Sequence, residues 1–504
     1  MAKKSRLFNL ASDVPYLLWL RRSSQAFFLL LFFFLFLQTE SKGNDELGYP
    51  VRIFLDLDPL IFFSSILSSH RIALMLLWSL ATLALTAIGG RFFCGWICPL
   101  GTMNALAGAA AGSPTISRRR SWFRIKYYLL AILLALSLGT VQLAGLFDPL
   151  SLTIRSFSLS FYPALNYLAN CLLEFISEFK SIGFTQVAES LSRIFRGTFL
   201  AFYQPFFRQG LLIGAIFTSV LALNILERRF WCRYLCPLGA LLGLCSQHAL
   251  VKRSVSEGCT ACGTCLRHCT AGAVADEKGV SIAAECHLCF ACDDPCPAGA
   301  VRYSRRGAMP AIPLDIGKRR LFLAALAGVA ATPFFRTMPL SRAAVFSGDL
   351  IRPPGALPED EFLKSCIRCG ECMKVCITNG LQPTFLEAGA EGLWTPILVP
   401  AIGHCEFRCT LCGQVCPTGA IRRLSLAEKA STVIGAAMID RGRCLPWAFG
   451  ISCAVCEEVC PTPEKAIRLE LEEFRTRGGK TKEARAPFVD LTRCVGCGTC
   501  EAHC

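Results

Sequence analysis

Charge, histidine and nucleotide-binding glycine loops are all scarce in this chain. Only 18% of its 504 residues are charged against 53% hydrophobic, which is too apolar for an ordinary soluble domain. No Gly-x-Gly-x-x-Gly follows a strand-like run and no P-loop occurs, so the usual nucleotide and flavin sites are excluded. Histidine numbers six and Cys-x-x-Cys-His is missing, so no attached haem is expected. His268, His287, His404 and His503 fall inside cysteine loops, and His70 and His248 sit near the ends of apolar runs. That leaves no pair of helices with facing histidines for a membrane haem.

Cysteine and long apolar runs fill the space. Apolar segments occur at about 26–37, 72–89, 127–146, 209–226 and 321–335. A bilayer-spanning helix needs roughly 20 such residues. The second to fourth meet this with their flanks, the first extends back through Tyr16, and the fifth is marginal. The formal charge of +15 would suit nucleic acid, but the basic residues cluster beside the apolar runs, which is the pattern of cytoplasmic loops. Lys3, Lys4, Arg6, Arg21 and Arg22 precede the first run; Arg91, Arg118, Arg119, Arg120, Arg124 and Lys126 lie between the second and third; Arg228, Arg229, Arg233, Lys252 and Arg253 follow the fourth. The 38–70 loop has only Lys42 and Arg52. Four crossings with a cytoplasmic N-terminus follow, placing 38–71 and 147–208 outside. No nucleic-acid partner is expected.

Thirty cysteines dominate, 24 of them in six groups of four. Cys259, Cys262, Cys265 and Cys269 precede Cys286, Cys289, Cys292 and Cys296, the last followed by Pro297. This spacing is that of bacterial two-cluster ferredoxins, in which the fourth cysteine of each run serves the other cluster. Cys259, Cys262, Cys265 and Cys296 are expected to hold one [4Fe–4S], and Cys286, Cys289, Cys292 and Cys269 the other. Zinc is the rival for a lone Cys-x-x-Cys, and two adjoining quartets argue against it. Four further quartets follow: Cys366, Cys369, Cys372 and Cys376; Cys405, Cys409, Cys412 and Cys416; Cys444, Cys453, Cys456 and Cys460; and Cys494, Cys497, Cys500 and Cys504. Extra residues in the second and third imply bulged loops around the same cubane. Which quartets pair is open. A ferredoxin fold normally continues with a closing strand, so truncation after Cys504 is an expectation. About six [4Fe–4S] clusters result, and such a set means electron transfer.

Four more cysteines sit in a duplicated box, Phe92-Phe-Cys94-x-x-x-Cys98-Pro-Leu-Gly and Phe230-Trp-Cys232-x-x-x-Cys236-Pro-Leu-Gly. Asp58-Pro59-Leu60 and Asp148-Pro149-Leu150 precede them, so each half carries an outer Asp-Pro-Leu, a helix and an inner cysteine box. Repeats of this kind often share a site at their interface. Cys94 and Cys98 share a helix face, as do Cys232 and Cys236. They bind a metal or cluster, cycle as redox thiols, or merely pack; a metal or redox role is preferred. Asp58 and Asp148 read as proton acceptors or as turn-forming Asp-Pro, with the turn preferred.

Taken together, the sequence predicts a membrane α-helical bundle of four helices over 1–250. A cytoplasmic α+β two-cluster ferredoxin domain follows at 254–306, then a signal or anchor helix at 318–340, then a periplasmic four-cluster ferredoxin domain at 350–504. Lys318, Arg319, Arg320 and the run after them read as a twin-arginine-type signal, a fifth anchor, or a buried soluble helix.

Residues 1–306 resemble the NapH-type membrane subunit of the NosR/NapH polyferredoxin family, through the two boxes, the Asp-Pro-Leu segments and the trailing ferredoxin quartets. Residues 318–504 resemble a NapG/MauM-type ferredoxin, through Arg319-Arg320-Leu-Phe-Leu, Arg352-Pro-Pro-Gly-Ala-Leu, Cys366-Ile-Arg-Cys-Gly, the long-gapped third quartet and Cys494-Val-Gly-Cys-Gly. The chain looks like a fusion of the two. The resemblance implies a bacterial inner-membrane quinol dehydrogenase that oxidises menaquinol or ubiquinol. It would deliver electrons to a periplasmic reductase or cytochrome, in a system of the nitrate-reductase type. Two other readings stay open: a thiol- or metal-handling maturation factor for a partner metalloenzyme, and a purely cytoplasmic electron hub.

Overall fold

The computed structural model describes residues 14–40, 45–49, 52–112, 120–178, 200–201, 203–304, 314–337, 350–475 and 481–504. Lys3, Lys4, Arg6, Lys42, Arg118, Arg119 and the end of the 318–340 segment lie outside them. The chain divides into two compact units. One holds 1–36, 51–156 and 211–336; the other holds 37–50, 157–210 and 337–504.

The first unit is helical around a small ferredoxin-type insert. All five apolar runs form helix: α1 (Val14–Gln38), a 3-10 turn Leu74–Trp78 leading into α3 (Ser79–Gly89), α5 (Phe123–Leu138), α8 (Gly210–Ala222), and α10 (Lys318–Thr337). Among the described residues one helix, Tyr16–Gln38, is long and apolar enough to cross a membrane. The third run is cut short because Gly139 and Thr140, the latter at φ 69°, turn the chain after Leu138.

Four shorter helices share one start. They are α2 (Pro59–Ser69), α4 (Pro99–Ala110), α6 (Pro149–Ser156) and α9 (Pro237–Ser246). Each opens with Pro-Leu after an Asp or Cys. Proline suits the first helical position because its missing N–H has no partner there anyway. The residue before it caps the free N–H groups of the first turn. Asp58 Oδ1 accepts from the Leu60 and Ile61 N–H at 2.8 and 3.3 Å, and Asp148 Oδ2 from Ser151 N–H at 2.7 Å. Cys98 Sγ accepts from Gly101 N–H at 3.4 Å, and Cys236 Sγ from Gly239 N–H at 3.2 Å. Leu60, Leu100, Leu150 and Leu238 are fully buried behind the caps. The two aspartates, read from the sequence as turn formers by preference, are helix N-caps here. α2 packs on α5 and α9, and α4 on α6.

α10 lies along α5. A Cβ at Gly139 would meet Thr332 Oγ1 at 2.4 Å, and one at Gly328 would meet Ile132 O at 2.7 Å, so glycine lets the two backbones approach. Ala331 and Phe335 pack on the Leu133, Leu136, Val141 and Leu143 cluster. In the ferredoxin insert, strands β1 (Lys252–Val255) and β2 (Val301–Ser304) pair antiparallel, Lys252 opposite Ser304. They close the ends of the segment that carries two cysteine quartets.

The second unit carries two ferredoxin-type pairs of quartets. α7 (Tyr162–Glu178) belongs to it, after a π-helical turn at Phe157–Phe161. Strands β3 (Leu381–Pro383) and β4 (Pro396–Leu398) form one two-stranded sheet. The nine-residue strands β5 (Ile467–Arg475) and β6 (Thr481–Val489) form another. The long gap in the third quartet becomes a short helix, Leu445–Phe449. Its Trp447 packs edge-on to Phe474 and Phe488 and donates Nε1–H to Pro487 O at 3.2 Å. The insertion thus anchors the cysteine loop to the hairpin. Segment 37–50 joins this unit through Asp45, whose carboxylate accepts from the N–H and hydroxyl of Thr410 at 2.5 and 2.8 Å.

Candidate iron–sulfur and thiol centres

The cysteine quartets gather as the ferredoxin spacing predicts, with the fourth cysteine exchanged. Cys366, Cys369, Cys372 and Cys416 line one small cavity, followed by Pro417. Cys376, Cys405, Cys409 and Cys412 line another. The open question of pairing is thereby answered for the first two quartets: neighbours pair. The third and fourth follow suit, since Cys500 neighbours Cys494, Cys497 and Cys456, and Cys460 packs against Cys494. In the first unit, Cys269 joins Cys286, Cys289 and Cys292.

Sealed thiols crowded together resist ionisation. Burial pushes Cys405 up to about 12, with the thiols of Cys376 and Cys409 adding to it against Lys429. Burial likewise pushes Cys286 up to about 12, helped by Cys289. Such thiols become thiolates when a cation replaces their protons. Among the described residues no three His, Cys, Asp or Glu side chains are close enough for a single metal ion. A cubane spreads its four thiolates over a larger body, and the two thiol-lined cavities fit that donor set.

Two links join the paired quartets of the second unit. Cys405 N–H donates to Cys497 O at 2.8 Å. The rings of His404 and His503, each just before a cysteine, lie 5.4 Å apart.

The duplicated boxes meet in the first unit. Cys98 neighbours Cys94 and Cys232, and Cys236 neighbours Cys232, Cys94 and Cys98. Cys98 and Cys236 are also helix caps, so two helix N-termini point their partial positive charge at the sulfur atoms. The arginine before each box crosses to the other. Arg91 Nη2 lies 2.6 Å from where a Gly239 Cβ would sit, beside Cys236; Arg229 Nη1 reaches Cys94 O at 3.5 Å. Both arginines then grip the residues flanking Cys286. Arg91 Nη1 is 2.6 Å from Glu285 Oε2, and Arg229 Nη1 is 3.0 Å from His287 Nδ1. Lys126 Nζ at 2.5 Å and Tyr127 OH at 2.8 Å complete the Glu285 shell. Trp96 Nε1–H donates to Leu288 O at 3.2 Å. The loop that starts the second ferredoxin quartet is therefore seated on the first cysteine box.

Asp58 and Asp148, the other two caps, also lie beside each other, both sealed from solvent. The aspartates and cysteines were legible from the repeat. Arg91 and Arg229 were not singled out, although each stands three residues before the first cysteine of its box.

A family described as "4Fe-4S binding domain" matches residues 72–126 and 207–256, the two stretches that hold the boxes. The chain is 37% identical over 195 residues to the methylamine utilization ferredoxin-type protein MauM of Methylorubrum extorquens, covering 38% of this chain and 82% of that protein. It is 38% identical over 160 residues to the ferredoxin-type protein NapG of Escherichia coli, covering 31% and 67%. To the regulatory protein NosR of Pseudomonas aeruginosa it is 27% identical over 251 residues, covering 48% and 26%. No solved structure matches. The exchanged cysteine quartets and these relatives agree, and the chain belongs to the MauM/NapG family of iron–sulfur ferredoxin-type electron-transfer proteins.

Proposed function

We propose that this chain is a membrane-bound electron carrier that takes electrons from the quinol pool and passes them to a periplasmic oxidoreductase. Six [4Fe–4S] clusters, once bound, supply one-electron carriers along it. Their ligands are Cys259, Cys262, Cys265 and Cys296; Cys286, Cys289, Cys292 and Cys269; Cys366, Cys369, Cys372 and Cys416; Cys405, Cys409, Cys412 and Cys376; Cys444, Cys453, Cys456 and Cys504; and Cys494, Cys497, Cys500 and Cys460. The converging thiols of Cys94, Cys98, Cys232 and Cys236 form a further redox or cluster centre beside the Cys286 loop.

The division of the chain carries this reading. Segments 37–50 and 157–210, which take in parts of the 38–71 and 147–208 loops that the positive-inside rule puts outside, form one compact unit with 337–504. A C-terminal ferredoxin left in the cytoplasm would not fold together with both outer loops. Exposed apolar side chains on the first unit, such as Leu74 and Leu211 at 74% and 92%, suit helices that face lipid. α10 packs along α5 and so acts as an anchor, carrying the chain outward.

Protease added to sealed spheroplasts tests the placement. Cleavage after residue 340 in intact spheroplasts is expected; protection until lysis would refute it. Menaquinol-driven reduction of the purified protein, followed by bleaching of its iron–sulfur absorbance, tests the direction.

The meeting of the two boxes also favours a second reading, a thiol-based maturation role for a partner metalloenzyme. In a Cys94→Ala/Cys232→Ala protein, a partner lacking its metal while electron transfer to the intact partner persists would select it.

A further inference from the structure

The second unit contains a cavity of about 1190 Å³, at or above the size of ordinary small-ligand sites. Its walls come from four parts of the unit: Glu40 from the first outer loop, Tyr162 and Tyr167 from α7, Ala201 and Tyr203 after it, and Lys374 to Asn379 with His404 and Glu406 from the ferredoxin. Cys376, a fourth-position cysteine, faces it, and Cys405 of the same quartet follows His404 directly.

Polar groups gather at one end of this cavity. Tyr162 OH donates to Glu40. Lys374 is sealed from solvent, with Nζ 3.9 Å from Glu40 Oε1, 3.1 Å from Thr39 O and 4.7 Å from the centre of the Tyr162 ring. The mouth is open and mixed: Tyr167 and Tyr203, 65% and 60% exposed, share it with Asn170, Glu174 and Gln204, and on the neighbouring face of α7 Leu168, Leu172 and Phe175 form an exposed apolar stripe. An amphipathic helix with such a stripe lies at a lipid surface.

We infer that this cavity binds a membrane quinol and is where electrons enter the chain. The inference rests on the proposed quinol reading and gives it a site. A mouth flanked by the exposed Leu168, Leu172 and Phe175 admits a lipid-soluble molecule, and the Glu40–Tyr162 pair receives a ring hydroxyl. Oxidation breaks two O–H bonds of the hydroquinone, forms the quinone and releases two electrons and two protons. The Glu40 carboxylate takes one proton, and water at the mouth takes the other. Two oxidised [4Fe–4S] clusters, once bound, would each take one of the electrons; Cys376, at the cavity wall, would hold one of them with Cys405, Cys409 and Cys412.

The test uses the full chain, cluster-loaded, in nanodiscs. An azido-naphthoquinone is photolysed and the labelled peptides are identified by mass spectrometry; reduction by menadiol and by dithionite is followed in parallel. Label on 162–178 or 374–379, displaced by excess menadiol, is expected. Ala201→Trp, which fills the cavity, and Glu40→Gln should weaken labelling or menadiol reduction about tenfold, with dithionite-reducible absorbance unchanged. Label confined to helices of the first unit, or an Ala201→Trp protein that labels and reduces like the parent, would overturn the site and leave the quinol reading standing. A parent protein that menadiol does not reduce would overturn both.

Discussion

Arg91 and Glu285 face each other at 2.6 Å with both side chains sealed from solvent. Lys126 adds a second buried cation at the same carboxylate. Removing one partner of a buried ion pair leaves an uncompensated charge, which costs about 3–5 kcal/mol. Glu285→Ala and Glu285→Gln should therefore both lower the thermal midpoint of the cluster-loaded protein, Glu285→Gln somewhat less because it keeps an acceptor for Tyr127. Equal midpoints for parent and Glu285→Ala would show that the pair does not hold the ferredoxin loop against the first cysteine box.

Exchange of the fourth cysteine makes the quartets testable by non-additivity. Cys416 shares a cavity with Cys366, Cys369 and Cys372, although it follows Cys412 in sequence. Cys416→Ser and Cys366→Ser should each cost the same cubane, so the double variant loses no more iron than either single one. Cys416→Ser with Cys405→Ser should lose two cubanes' worth. Coupled sites depart from additivity while separate ones do not, and iron and sulfide analysis of anaerobically purified protein decides between them.

The cysteine spacing made the ferredoxin chemistry legible because a cubane demands thiolates at short fixed intervals. Positions of the apolar helices were legible from hydropathy, and Asp-Pro-Leu and Cys-Pro-Leu announced helix starts. What stayed hidden depends on long-range meetings. Nothing local in Arg229 says that it reaches across to Cys94 and His287. Nor does Glu40, in a loop, announce that it closes a cavity with Tyr162 and Lys374. Pairing of quartets was hidden for the same reason: sequence gives intervals along the chain, and the partner cluster is set by how two loops fold against each other.

Gly403 marks one such meeting. A Cβ there would lie 2.0 Å from Thr378 O, a backbone atom that cannot swing aside. The loop before Cys405 and the loop after Cys376 thus touch backbone to backbone. Gly403→Ala should cost about 1–3 kcal/mol, as overpacking usually does. It should also loosen the cluster seated by Cys376, Cys405, Cys409 and Cys412 before the other three of this unit. Faster loss of one cubane's absorbance in chelator, with the remainder unchanged, is the expected result.

Asp56 gives a pH dependence outside the cysteine sites. Burial raises its carboxyl from 3.8 to about 6, against the opposing pull of Arg52. Arg52 Nε stands 3.4 Å from Oδ2, and Oδ1 has no hydrogen-bond partner. The folded chain therefore binds this proton more tightly than the unfolded chain does, and stability falls wherever the folded state keeps a proton that the unfolded state has lost. That window runs from about pH 4 to about pH 6, and the loss is complete above it. Asp56→Asn keeps the shape without the titration. Between pH 4 and pH 6 the parent's thermal midpoint should fall relative to that of Asp56→Asn, then run parallel to it up to pH 7. Parallel midpoints across the whole range would mean that Asp56 is ionised freely in the folded chain.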